Sequence, residues 1–228
     1  MPSMIDVLYE DNHLLVVNKP VGLPTMGVAA DKPSLWVAAK AYLKEKYQKP
    51  GNVYLGTVSR LDSTVSGVLL FAKTSKAAAR VSEQIRHRHV EKLYWALVQS
   101  RIKPAAGECE DWLREDDRHR CVRLVPEGTP DSRFCRLSYR TLNATDRVSH
   151  LEVSLETGRK HQIRIQLSKR GHAILGDRKY ASKRPFPAGI ALHARTLRLL
   201  HPIGDVPLEL TAPPPGSWKS FLGTMEKG

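Results

Sequence analysis

The stretch "TVSRLDSTVSGVLLFAKT", Thr57–Thr74, decides how the chain folds. Its second half, "VSGVLLFAK", is apolar at successive positions, as in an interior strand covered on both faces. Its first half is polar and carries one acidic residue, Asp62, two residues after Arg60. A carboxylate at the mouth of a buried strand needs a cationic partner to stay ionised where water is scarce. By position alone Asp62 reads as a turn residue bonded to backbone N–H groups. A functional reading needs the rest of the chain.

The charge balance gives that reading a direction. There are 36 Lys+Arg against 23 Asp+Glu, a net charge of +13, and such a surface attracts polyanions, nucleic acid foremost. Hydrophobic residues make up 41% of the chain, enough to bury a core, so general disorder is excluded. The three cysteines, Cys109, Cys121 and Cys135, include no CxxC pair; they fit neither a disulfide framework nor a common zinc site and read as reduced core thiols. The start "MPSMIDVLYEDN" lacks the basic-then-apolar pattern of a signal peptide, and no apolar run approaches ~20 residues. The expectation is a cytoplasmic protein without a membrane span. GxGxxG, the Walker loop, GxSxG, HExxH and the HxE/PCxxC pair are all missing. No nucleotide cofactor, metal or thiol nucleophile is therefore expected.

Outward from the opening stretch, residues 5–18 predict a hairpin around Asp11-Asn12, and "KPVGLPT" a Pro/Gly loop. Lys19, in that loop, reads as solvated, or as a phosphate contact. Residues 34–47 predict a helix capped by Ser34, with Leu35, Ala38, Ala39, Tyr42 and Leu43 on one face. Thr74 or Ser75 caps a second helix over 76–89, with Ala78, Val81 and Ile85 inward. Its "RHRH" end suits a helix C-terminus and an RNA contact equally well. "KLYWALV", 92–98, and "HLEVSLE", 150–156, alternate as strands. Residues 100–147, rich in charge and proline, predict short peripheral strands and long loops. In "TGRKHQIRIQLSKRG" a short helix ends near Gly171, with His161, Arg164 and Ser168 on one face. A Pro-rich turn leads into a short terminal helix. No linker divides the chain, so residues 1–228 are expected to form one domain. The class is α+β: a mixed, mainly antiparallel sheet with flanking helices.

Five segments in order, "VLYEDNHLLVVNKPVGLPT", "RLDSTVSGVLLFAKT", "EKLYWALV", "LETGRKHQIRIQLSKRGHAILGDRKY" and "ALHARTLRLLHP", resemble the motifs of the RluA-type RNA pseudouridine synthases. The resemblance covers roughly residues 5–98 and 148–218, the catalytic domain without a preceding S4 domain. It implies a pseudouridine synthase fold with a central catalytic cleft. It implies isomerisation of uridine within tRNA or rRNA to pseudouridine, without a cofactor, by an enzyme that is commonly monomeric.

The resemblance also assigns residues. Asp62 matches the catalytic aspartate, Tyr94 the tyrosine that stacks on the uracil, and Arg164 the arginine that pairs with the aspartate. Arg60 matches a residue that fills the gap left by the flipped nucleotide, and Leu192 an apolar residue bordering the base. His161, in the same HQIR motif as Arg164, is expected to contact RNA, as are Arg60 and Leu192. The chemistry suits these types. The nucleotide must leave its stack to expose C1′ and C5. An aromatic platform keeps a freed uracil in place, and an arginine holds a carboxylate ionised. Ser59 stands where the family has His before RLD, Val65 where it has Thr, and Cys135 and Leu137 where it tends to have Ala and Thr. Without chemistry at Asp62 the same scaffold would be an RNA-binding protein or RNA chaperone. Charge alone would also suit a DNA-binding protein.

Overall fold

The structure, a computed structural model, describes residues 5–26 and 32–225. The fold is α+β, a mixed, mainly antiparallel arrangement of strands with few flanking helices. The chain forms two compact units. One runs up to Glu91 and takes in Ala194–Pro214; the other comprises Lys92–His193 and the segment from Pro215 onward.

In the first unit, strands β1 (Val7–Glu10), β2 (Leu14–Lys19) and β4 (Ser66–Ala72) are neighbours, and β10 (Leu192–Leu200) follows β4 and pairs with β11 (Pro207–Thr211). The two-residue strand β3 (Gly56–Thr57) adds to β4 at Ala72 and Phe71. Every residue of β4 is buried, because helices cover both faces. Leu14, Val16, Val68 and Leu70 point to a core shared with Val81 of helix α2 (Ser75–Arg86). Leu15, Val17, Leu69 and Phe71 point to the opposite core, shared with Leu35, Ala39 and Leu43 of helix α1 (Leu35–Lys46). Period-2 alternation then puts apolar residues at every position, which is why the segment reads as a continuous apolar run. Ser34 caps α1 by accepting from the Val37 N–H, and Thr74 caps α2 by accepting from Ala77.

In the second unit, strands β5 (Glu91–Gln99), β9 (Val148–Leu155), β8 (Arg133–Ala144), β6 (Ala106–Asp116) and β7 (Cys121–Val125) follow one another, each pair antiparallel. Helix α3 (Gln162–Lys169) packs through Ile165 against Leu113, Val122, Cys135 and Tyr180. The Trp95 ring meets His150 edge-on at 4.9 Å, and Trp218, almost fully buried, meets His150, His193 and Phe186. Burial in this aromatic cluster, partly offset by the nearby Glu152 charge, drives the His150 pKa down to about 4. Helix α4 (Lys219–Met225) closes the described chain.

Three expectations are corrected. Residues 100–147 hold two of the longest strands, not short peripheral ones. Their outward positions are charged, and only alternate residues such as Cys109, Leu113, Cys135 and Leu137 are buried, so the apolar signal is thin. Helix α2 stops at Arg86, since Arg88 takes a left-handed conformation at φ 60° and "RHRH" becomes a turn. Its inward residues are Ala77 and Val81; Ala78 is only half-buried.

Gly67 has φ +117°, and a Cβ there would press on the Ala194 carbonyl and lie 2.6 Å from its amide nitrogen. Backbone strain and the clash add. Gly67→Ala is expected to cost about 3 kcal/mol, measured as a fall in the urea midpoint.

Candidate active site

Asp62 begins a turn in which the Val65 N–H donates to the Asp62 carbonyl, 3.1 Å, just before β4. The flanking main chain is tied to the "KPVGLPT" loop at several points. Thr25 Oγ1 donates to the Leu61 carbonyl at 2.9 Å and accepts from the Leu61 N–H at 3.1 Å. The Gly22 N–H donates to the Ser63 carbonyl at 2.7 Å. Lys19 Nζ donates to the carbonyls of Leu23 at 2.7 Å, Pro20 at 2.8 Å and Ser63 at 3.4 Å. Asp62 is half-buried and Arg60 is exposed.

Lys19 thus corrects the solvated reading: it is fully buried. A buried ammonium needs acceptors in place of water, and the three carbonyls supply them. Burial pulls its pKa down to about 8, with the negative charge of Asp62 acting in the opposite direction.

In the second unit Tyr94 sits half-buried on β5, opposite Val153 of β9. Arg164, buried on α3, makes a two-pronged pair with Asp177: Nε to Oδ2 at 2.7 Å and Nη2 to Oδ1 at 2.9 Å. Its guanidinium lies 5.0 Å from the centre of the Tyr180 ring. His161 is not on the helix, as the sequence suggested, but precedes it in a left-handed conformation at φ 53°. Its Nδ1 bonds to the Tyr180 hydroxyl at 2.7 Å, which also accepts from the Val122 N–H at 2.9 Å. Ser168 Oγ donates to the Tyr180 carbonyl at 2.6 Å. The three residues expected on one face, His161, Arg164 and Ser168, therefore all converge on Tyr180. Burial raises the Tyr180 hydroxyl to about 12, so it stays protonated at neutral pH. Gln162 Oε1 accepts from Thr157 Oγ1 and the Arg159 N–H, which anchors the loop entering α3. Leu192 is buried at the start of β10.

Asp177 and Tyr180 escaped the sequence reading. Their signal was present in "GDRKY", where an acidic residue follows a glycine of φ +82° and precedes a tyrosine by three. Lys19 and Thr25 were read as loop residues although they brace Asp62. Among the described residues, no group of three or more His, Cys, Asp or Glu side chains is placed to hold a metal ion.

The family model described as RNA pseudouridylate synthase matches residues 13–169 of the chain. The chain belongs to the RNA pseudouridylate synthase family. The synthase is 32% identical over 221 residues to an uncharacterised RNA pseudouridine synthase of Bacillus subtilis (strain 168), covering 96% of this chain and 72% of that relative. It is 33% identical over 217 residues to the dual-specificity RNA pseudouridine synthase RluA of Pasteurella multocida (strain Pm70), covering 92% and 93%. Among solved structures, human RNA pseudouridylate synthase domain containing 4 superposes with a TM-score of 0.81 at 26% identity, covering 97% of this chain and 93% of that one. The synthase is an isomerase that converts uridine in RNA to pseudouridine.

Two measurements test the supports. Lys19 has a folded pKa of about 8 against an ordinary 10.5. Below pH 8 the amine is charged in both states and the full penalty of burying it is present. Between pH 8 and 10.5 the folded state sheds its proton first, so stability rises with pH. The difference in unfolding free energy between wild type and Lys19→Met should move by about 3 kcal/mol toward wild type across that window. Asp177→Asn removes a buried carboxylate that pairs two-pronged with the Arg164 guanidinium and should cost about 3–5 kcal/mol in urea unfolding, with the denaturant slope unchanged.

Proposed function

We propose that the synthase uses Asp62 as its catalytic carboxylate on uridines in structured RNA, tRNA or rRNA, with Tyr94 and Arg164 serving the same reaction. The observation that carries this reading is the bracing of Asp62. The Thr25 hydroxyl, the Gly22 N–H and the Lys19 amine bond to the main chain of Leu61 and Ser63, the residues on either side of it. A reacting group must be held near its productive geometry, and bonds to the main chain of both neighbours contribute to that. The motif match supports the same assignment.

In the reaction the N1–C1′ bond breaks, a C5–C1′ bond forms, C5 loses its proton and N1 gains one. Tyr94 offers a ring on which the detached uracil turns. Arg164, its guanidinium fixed by Asp177, supplies a rigid cation to the reaction. Arg60, exposed beside Asp62, suits a residue that enters the gap left by the flipped nucleotide. His161 and Leu192 border the RNA and the base. Relatives that include a ribosomal large-subunit pseudouridine synthase and a dual-specificity RNA pseudouridine synthase support a structured RNA, rRNA among them, as the substrate. We take residues 1–228 as one catalytic domain, acting as a monomer in the cytoplasm.

The test is tritium release from [5-³H]uridine-labelled total RNA of a strain lacking the gene. Wild type should release tritium, and Asp62→Asn should lower the rate by a factor on the order of 10³. Release by Asp62→Asn at the wild-type rate would overturn the assignment.

A further inference from the structure

Lys92 is a cation outside the catalytic and RNA-contacting set of Asp62, Tyr94, Arg164, Arg60, His161 and Leu192. It lies on β5 two residues before Tyr94, so the two side chains leave the same face of the strand, about 7 Å apart along it. It is half-buried, and its Nζ lies 3.9 Å from where a Cβ would stand on Gly158. Among the described residues no hydrogen bond or ion pair holds the Lys92 amine.

The neighbouring charges are otherwise engaged. Glu156, just past β9, pairs with Arg136, and Glu152 within that strand pairs with Arg140. In the Gly158 loop, Lys160 pairs with Glu115 and Arg159 donates to the Phe134 carbonyl. His161, which follows, is bonded to Tyr180. Burial lowers the Lys92 pKa, with no neighbouring carboxylate raising it. A lysine kept partly out of water with no carboxylate of its own is costly, and an incoming anion removes that cost. The bare glycine beside it leaves room for one. A spacing of about 7 Å also matches the separation, within one nucleotide, between a base and its backbone phosphate.

We infer that Lys92 binds a backbone phosphate of the uridine whose base lies on Tyr94. The inference rests on the reading of Tyr94 as the uracil platform. Lys92 is on this account a substrate-binding residue that fixes where the sugar sits while the base turns.

The experiment measures initial rates of tritium release from [5-³H]uridine-labelled total RNA of a strain lacking the gene, across RNA and KCl concentrations, for wild type, Lys92→Met and Lys92→Arg. Lys92→Met should raise the apparent KM about tenfold or more with kcat within about threefold of wild type. The slope of log(kcat/KM) against log[KCl] should become shallower by about 0.7–0.9, the loss of one phosphate contact. Lys92→Arg should restore both. A pH series supplies a readout that a packing role would not move. Wild-type kcat/KM should fall on the alkaline side as the amine loses its proton, while Lys92→Arg, which keeps its charge and leaves only groups such as Lys19 to titrate, should fall less there. This comparison decides the matter if Lys92→Met does not fold. An unchanged salt slope, a loss confined to kcat, or identical alkaline limbs for wild type and Lys92→Arg would overturn the inference. If wild type itself released no tritium, the functional reading above would fall first, and the two failures are thereby told apart.

Discussion

A primary amine without access to water organises the first unit. Lys19 cannot carry its charge in a core unless carbonyl oxygens surround it, and its three acceptors belong to two stretches far apart in sequence, Pro20 and Leu23 on one side and Ser63 on the other. Satisfying the amine therefore forces the Pro/Gly loop against the turn that carries Asp62. Thr25 and Gly22 add bonds of the same kind. The two prolines in "KPVGLPT" restrict that loop's backbone, so bonds to the main chain on either side of Asp62 help to set its position.

The second unit solves a similar problem with opposite chemistry. There the buried charge is the Arg164 guanidinium, and its partner is a carboxylate in a matched fork, with an aromatic ring beneath. Tyr180 joins the parts. Its hydroxyl receives the Val122 N–H and meets His161, its ring faces Arg164, and its carbonyl accepts from Ser168. Short α3 has only two turns to stabilise it, too few to hold by itself, and these tethers together with Ile165 in the core supply the rest.

Where one interaction dominated locally, the sequence could be read directly. β4 showed as an unbroken apolar run because α1 and α2 cover its two faces, and Ser34 and Thr74 announced the helix starts through their capping oxygens. Asp62, Tyr94 and Arg164 stood out through ordered motifs, a signal that no single residue carried. The misses lie where a partner distant in sequence decides. Nothing near Lys19 says that Ser63 will accept from it, and the charge on a lysine argues for water by default. Asp177 is fixed by an arginine 13 residues away. The long strands β6 and β8 turn many residues to solvent, most of them charged, so their composition imitates a loop. His161 precedes α3 in a left-handed conformation that a non-glycine residue seldom adopts, and helical spacing cannot foresee it.

The division of the chain between its units bears on how such a protein can be altered. Each unit is assembled from separated stretches, with junctions at Glu91–Lys92, His193–Ala194 and Pro214–Pro215. Neither can be excised, duplicated or exchanged as a single continuous length of gene. A break at the first junction would strip the first unit of β10 from Ala194 onward and of β11, the strands that complete its sheet beside β4. Modular shuffling is thereby closed to the two halves, and inheritance has to treat them as one block. Insertions have a different outlet at the β6–β7 turn, which is exposed and short of core contacts, where added sequence would disturb neither buried charge.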